Sequence, residues 1–100
     1  MLVVAILRYE KPIEEVEKHT PAHRAYMKSL FDKGVLLASG PFQPRSGGML
    51  LFSAATRDEV DLLLCDDPFL ESGIARYEVT VWAPTLGAGR FLTRSLGDAG

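Results

Sequence analysis

The chain has 100 residues, 47% of them apolar, with 11 basic and 13 acidic side chains and a formal net charge of -2 at pH 7. That length supports one domain with its own core, not two. The near-balanced charge excludes the broad positive field that duplex nucleic acid requires, the single cysteine, Cys65, excludes an intrachain disulfide, and no C-x-x-C or His/Cys cluster points to structural zinc.

The first expected element is a strand, Leu2 to Tyr9. Its six consecutive apolar residues, Leu2 to Leu7, imply cover on both faces. They are too few to cross a bilayer, and no basic leader or cleavage site accompanies them. No membrane partner is expected, and the cytoplasm is the expected compartment. Pro12 ends the strand. Ile13 to Lys18 is acidic and reads as either a short helix or an ordered turn. Thr20 then suits a helix N-cap and Pro21 the first helical position, where a missing N–H is harmless. This helix should run to Lys33 and stop at Gly34, with Tyr26, Met27, Leu30 and Phe31 as its apolar stripe.

Val35 to Ser39 reads as the second strand, broken by Gly40-Pro41, with a loop or hairpin connection from Phe42 to Gly48. Met49 to Ala54 is the third strand. Thr56 and Glu59 form a capping box for a second helix whose inward positions are Val60, Leu63 and Leu64. Asp66, Asp67 and Pro68 end it. The last strand is Ile74 to Ala83, with Ala75, Tyr77, Val79 and Val81 on one face and Arg76, Glu78, Thr80 and Trp82 on the other. The tail from Pro84 to Gly100 carries Phe91, Leu92 and Leu96, which favour partial order against a neighbouring subunit over complete disorder. The division is thus a domain over 1–83 and an extension over 84–100.

The order β-α-β-β-α-β predicts an α+β chain of the ferredoxin-like split βαβ kind. Helices cover one face of such a sheet. The other face also carries Leu, Val, Met or Phe, so a second subunit is expected to cover it in a homodimer.

Two residues stand out as chemistry. His23 lies three positions after Thr20, with Met27 four residues further on, so its ring leans toward the packed face. It reads equally as a proton acceptor and as a packed histidine held by a carbonyl. Asp67 stands where the second helix ends, next to Asp66. It suits a proton donor or an orienter of a base; it also suits an Asx-type turn onto the N–H groups around Phe69, a reading good by itself that does not exclude chemistry. Ser39 and Gly40 sit at a strand end where a ligand could approach the backbone. No G-x-S-x-G elbow surrounds Ser39, and no phosphate loop or dinucleotide fingerprint is present. Arg8 and Arg45 are candidates for an anionic substrate, against the ordinary reading of solvated arginines. A metal held by His23 and Asp67 alone would be two ligands short, so neither metal nor cofactor is expected. Treating the two helices as parallel puts His23 and Asp67 at opposite ends of the helical layer, which opposes a direct contact.

Four segments carry a resemblance: H-R-A-Y-M-K-S-L from His23, G-V-L-L-A-S-G-P from Gly34, D-D-P-F-L-E-S-G from Asp66, and Y-E-V-T-V-W from Tyr77. In this order, over Leu2 to Ala83, the chain resembles the YCII-related (YciI-like) family. The resemblance implies a ferredoxin-like dimer of the α+β-barrel kind. It implies a His–Asp pair in a cleft, falling on His23 and Asp67, with Ser39, Gly40 and Pro41 near it. Most members of that family have no assigned reaction. One relative resembles a dehydrochlorinase for a chlorinated hydroxyquinol, and muconolactone isomerases share the wider fold.

The leading expectation is a cofactor-free enzyme that moves a proton on a small acidic or aromatic metabolite, by elimination, isomerisation or lactone chemistry. The alternatives are a noncatalytic ligand-binding or stress-response module and a structural dimerisation domain. An enzyme needs His23 within reach of a ligand atom. A structural role predicts that the pair is occluded by packing.

Overall fold

The computed structural model describes residues 1–87. Seven elements follow one another: β1 (Leu2–Tyr9), α1 (Ile13–Asp32), β2 (Leu36–Pro41), β3 (Gly47–Ser53), α2 (Arg57–Cys65), α3 (Pro68–Glu71) and β4 (Ala75–Trp82). The strands form one sheet in the order β2-β3-β1-β4. Every pairing is antiparallel, with Ala5 opposite Leu50 and Val79.

This is an α+β topology with alternating elements, and it corrects the expected fold class. The sheet is open: β2 and β4 are its two edges, and it does not close into a barrel. Alternation along a strand fixes which side chains face a core, but it does not dictate closure, which depends on the pairing of the edges. The Phe91, Leu92 and Leu96 of the expected tail lie outside the described residues.

Helix α1 differs from the sequence expectation at its start. It begins at Ile13, not Thr20, and Pro12 occupies its N-cap. Glu14 and Glu15 fall in the first turn, where carboxylates oppose the positive end of the helix. Pro21 is therefore inside the helix. Its missing N–H leaves the carbonyl of Glu17 without a helical partner, but Glu17 is exposed and water can serve that carbonyl. Thr20 is no cap; its hydroxyl donates to the Val16 carbonyl at 2.9 Å. The buried positions are Val16, Thr20, Met27 and Leu30. With His23 between them they advance by four, three, four and three residues, which is one continuous helical stripe.

The capping box of α2 is formed. Glu59 N–H donates to Thr56 Oγ1, and Ala55 N–H donates to Glu59 Oε2, both at 3.2 Å. The turn expected after it contains a further helix, α3, opened by Asp67 in an extended conformation and Pro68 at its first position. Gly73, at φ +75°, ends this segment in a conformation that disfavours a side chain.

Val3, Ala5 and Leu7 point to the helices and are buried, and Leu50 and Phe52 extend that core across β3. A second cluster, Leu7, Val16, Phe69, Ile74 and Ala75, lies under α3. The even-numbered residues of β1 face the other way. Val4, Ile6 and Met49 line a shallow groove of about 390 Å³ on that open face.

Candidate functional site

The topology explains how His23 reaches Asp67. Because β1 and β3 are antiparallel, the helices that follow them run in opposite directions. The N-terminal half of α1 therefore lies beside the C-terminal end of α2, where Asp67 stands. The expectation of parallel helices is corrected, and with it the objection to a direct contact. His23 is also not at a helix start; it is the eleventh residue of α1, so no helix-end dipole acts on it.

His23 Nδ1 and Asp67 Oδ1 are 2.7 Å apart. Asp67 is fully buried, while the His23 side chain is 12% exposed. A carboxylate only accepts, so Nδ1 carries the proton and donates. The other carboxylate oxygen, Oδ2, accepts from the hydroxyl of Tyr77. Neither oxygen makes the expected Asx bond to the backbone around Phe69. Burial, followed by the charge and hydrogen bond of Asp67, pushes the Tyr77 phenol far above its ordinary range, so it remains a donor. Phe69, buried at the first turn of α3, stacks on the imidazole with centroids 4.0 Å apart and planes at 11°. One hydrogen bond to an Asp67 that Tyr77 holds in turn, and one aromatic plate, thus fix the ring. Its Nε2 has no protein partner among the described residues and is not sealed off.

His23 lines an open cleft of about 440 Å³, a size suited to a small molecule. It is lined by Thr20, His23 and Met27 of α1, by Ser39 and Gly40 of β2, and by Arg45 of the hairpin. Pro41 lies inside β2, which continues two residues beyond the expected break. Phe69, stacked on His23, also lines the cleft. The site residues named from sequence are therefore only partly gathered. His23, Ser39 and Gly40 line the cleft, and Asp67 stands behind His23. Arg8 does not line it. It points to the open face, where its Nε donates to Glu78 at 3.2 Å; Arg8 and Arg76 together hold the Glu78 carboxyl below its ordinary range.

Tyr77 and Phe69 were not singled out by sequence. A signal for Tyr77 was present: it is the one residue with a polar tip on the inward face Ala75, Tyr77, Val79, Val81, and a buried phenol needs a partner. Phe69 gave no such signal, because its role depends on α3. Among the described residues no group of three His, Cys, Asp or Glu is placed to hold a metal ion. No described helix is long and apolar enough to cross a membrane.

The family model of the YCII-related domain matches residues 1–83. The chain belongs to the YCII-related family. No curated protein gives a significant match. Among solved structures, it is similar to 5-chloro-2-hydroxyhydroquinone dehydrochlorinase from Burkholderia phenoliruptrix AC1100 in complex with 2,5-dihydroxybenzoquinone. The identity is 25%, the TM-score 0.72, and the match covers 85% of this chain and 96% of that one. The buried His–Asp pair of this YCII-related chain, together with its likeness to that enzyme, supports His/Asp-mediated chemistry on a small molecule.

Proposed function

We propose that this YCII-related chain is an enzyme that removes a proton from a small acidic or aromatic metabolite, with His23 as the general base. One observation carries the reading: Asp67 holds Nδ1–H of His23, a residue that lines the cleft, which leaves Nε2 as the ring nitrogen with a free lone pair. Such an imidazole takes a proton from an acidic C–H or O–H and returns it elsewhere. The electron pair left on the substrate then expels a leaving group, as in elimination, or moves a double bond, as in isomerisation or lactone chemistry. Asp67 orients the ring and stabilises the imidazolium that forms. Tyr77 holds Asp67 in turn. Ser39 and Gly40 offer the substrate a polar strand wall. The likeness to a dehydrochlorinase supports elimination on a hydroxylated ring. A structural role would bury the pair completely, whereas His23 opens on a cleft.

The test is turnover of chlorinated hydroxyquinols, read as chloride release, and of unsaturated lactones, read by absorbance. The parent should act on at least one class, and His23→Ala should lose about 10²–10⁴-fold. Ligand binding by the parent with no turnover of either class would leave a noncatalytic binding module instead.

We also infer a homodimer that covers the open sheet face. Val4, Ile6 and Met49 form an apolar groove there, and Met49 is 41% exposed. A second copy of the same face supplies a matching apolar surface.

A further inference from the structure

We infer that the cleft takes an anionic substrate and that Arg45 binds its charged oxygen. The inference rests on the proton-transfer reading of the same cleft and names the substrate class. Three cationic residues, Arg24, Lys28 and Arg45, line the cleft, and among the described residues no Asp or Glu does. Lys28 is already neutralised, with its ammonium 2.7 and 2.8 Å from the two carboxylate oxygens of Asp32.

Arg45 is different. Its Nε donates to the Tyr9 hydroxyl and its Nη2 to Thr20 Oγ1, both at 3.2 Å. The guanidinium carbon is 6.0 Å from the centre of the Tyr9 ring. These contacts hold the planar fork in place without cancelling its charge. Of its five N–H groups, three remain for a ligand. A guanidinium fixed by neutral hydroxyls is suited to an oxyanion, which it binds through short, charge-assisted bonds.

The spacing limits the size of the ligand. Thr20, which anchors Arg45, precedes His23 by three residues on the inward face of α1, a separation of about 5–6 Å between Cβ atoms. The oxyanion and the proton to be removed therefore belong to one molecule small enough for a cleft of about 440 Å³. A carboxylate and a ring enolate or phenolate share this chemistry. In either case the negative charge that grows as His23 removes a proton is opposed by a preorganised cation, which lowers the barrier.

The experiment is calorimetric binding with three probes. 2,5-Dihydroxybenzoquinone is a vinylogous acid and is anionic at neutral pH. Benzoate is the carboxylate arm. 2,5-Dimethoxybenzoquinone keeps the ring and removes the charge. The parent should bind at least one of the two anions more tightly than the ether, and more weakly as salt is raised. Arg45→Gln should weaken the bound anion roughly tenfold or more and leave the ether unchanged. Arg45→Lys, which keeps the charge and loses the fork, should fall between. Whichever anion is retained decides between ring enolate and carboxylate. Equal anion affinity in parent and Arg45→Gln would overturn the assignment. So would an equal loss of the ether, which marks Arg45 as loop support only, or a parent that prefers the ether or binds neither anion. His23→Ala should still bind the anion. Loss of turnover in that variant concerns the proton-transfer reading, whereas Arg45 is judged by binding alone.

Discussion

His23 and Asp67, 44 positions apart in sequence, meet through the 2.7 Å contact between Nδ1 and Oδ1. His23 comes from α1 and Asp67 from the junction of α2 and α3, and the antiparallel run of β1 and β3 brings those elements side by side. The contact is consequently a product of topology and not of local sequence.

Asp67→Asn tests what the carboxylate does for the imidazole. Asp67 receives two donors, from His23 and Tyr77. An amide has one acceptor oxygen, so one of those donors would face an NH₂ group. The variant should lose the Nδ1–H tautomer preference, read by long-range ¹⁵N–¹H correlation of His23. Turnover should fall about 10²–10⁴-fold while the circular dichroism spectrum stays that of the parent. An unchanged tautomer in a folded variant would remove Asp67 from the mechanism.

Tyr77→Phe tests the second support. It leaves a buried carboxylate oxygen without its donor, at a cost of about 1–3 kcal/mol. For a domain of this size that lowers Tm by about 4–8 °C per kcal/mol. The loss of activity should be smaller than in His23→Ala, because the Nδ1 bond survives. The raised phenol pKa adds a pH signature. The native phenol stays protonated, while an unfolded tyrosine ionises near about pH 10. Its stabilisation is thus complete below about pH 10 and is lost as the pH rises above it. Denaturant titrations at about pH 9 and about pH 11 should show a larger drop for the parent than for Tyr77→Phe. Equal drops would mean that Tyr77 does not couple to Asp67.

Much of this was readable in the residues, for identifiable reasons. The alternation of β4 and the apolar run of β1 placed both strands, and the Thr56–Glu59 pair marked the start of α2. Pro21 was misleading: proline favours a first turn, yet here it sits mid-helix where the affected carbonyl faces water. Asp67-Pro68 looked like a stop because the same residues that end one helix open a four-residue second one. His23 was found through its residue type, and its spacing to Val16, Thr20, Met27 and Leu30 independently puts it on the buried stripe. Arg8 lies off the cleft because a one-residue step along β1 turns a side chain to the opposite face of the sheet.

Phe69 links α3 to the site. It is 1% exposed and stacks on His23. Phe69→Ala removes a buried ring, costs about 3–5 kcal/mol and is expected to threaten folding. Phe69→Leu keeps most of the volume and removes the aromatic plate. It should remain folded in a thermal melt, yet lower kcat more than KM because the imidazole loses its fixed plane. A Phe69→Leu enzyme with parental kcat would show that the two hydrogen bonds around Asp67 position the ring without help.

The open face gives the last prediction. The register pairs Val4 with Leu51 and Ile6 with Met49, and all four point away from the helices. Leu51 is only 4% exposed within the chain, so a charge there would damage the fold itself and leave assembly untested. Met49, at 41% exposure, is the cleaner probe. Sedimentation of the parent should give about twice the chain mass of 11.0 kDa. Met49→Lys should keep the parental melt within about 1 kcal/mol and shift the sedimenting species toward the single-chain mass, since an unpaired ammonium cannot be buried against a second copy without a large penalty. A parent that sediments as one chain, or a Met49→Lys variant that still sediments at the doubled mass, would show that this face is not the interface.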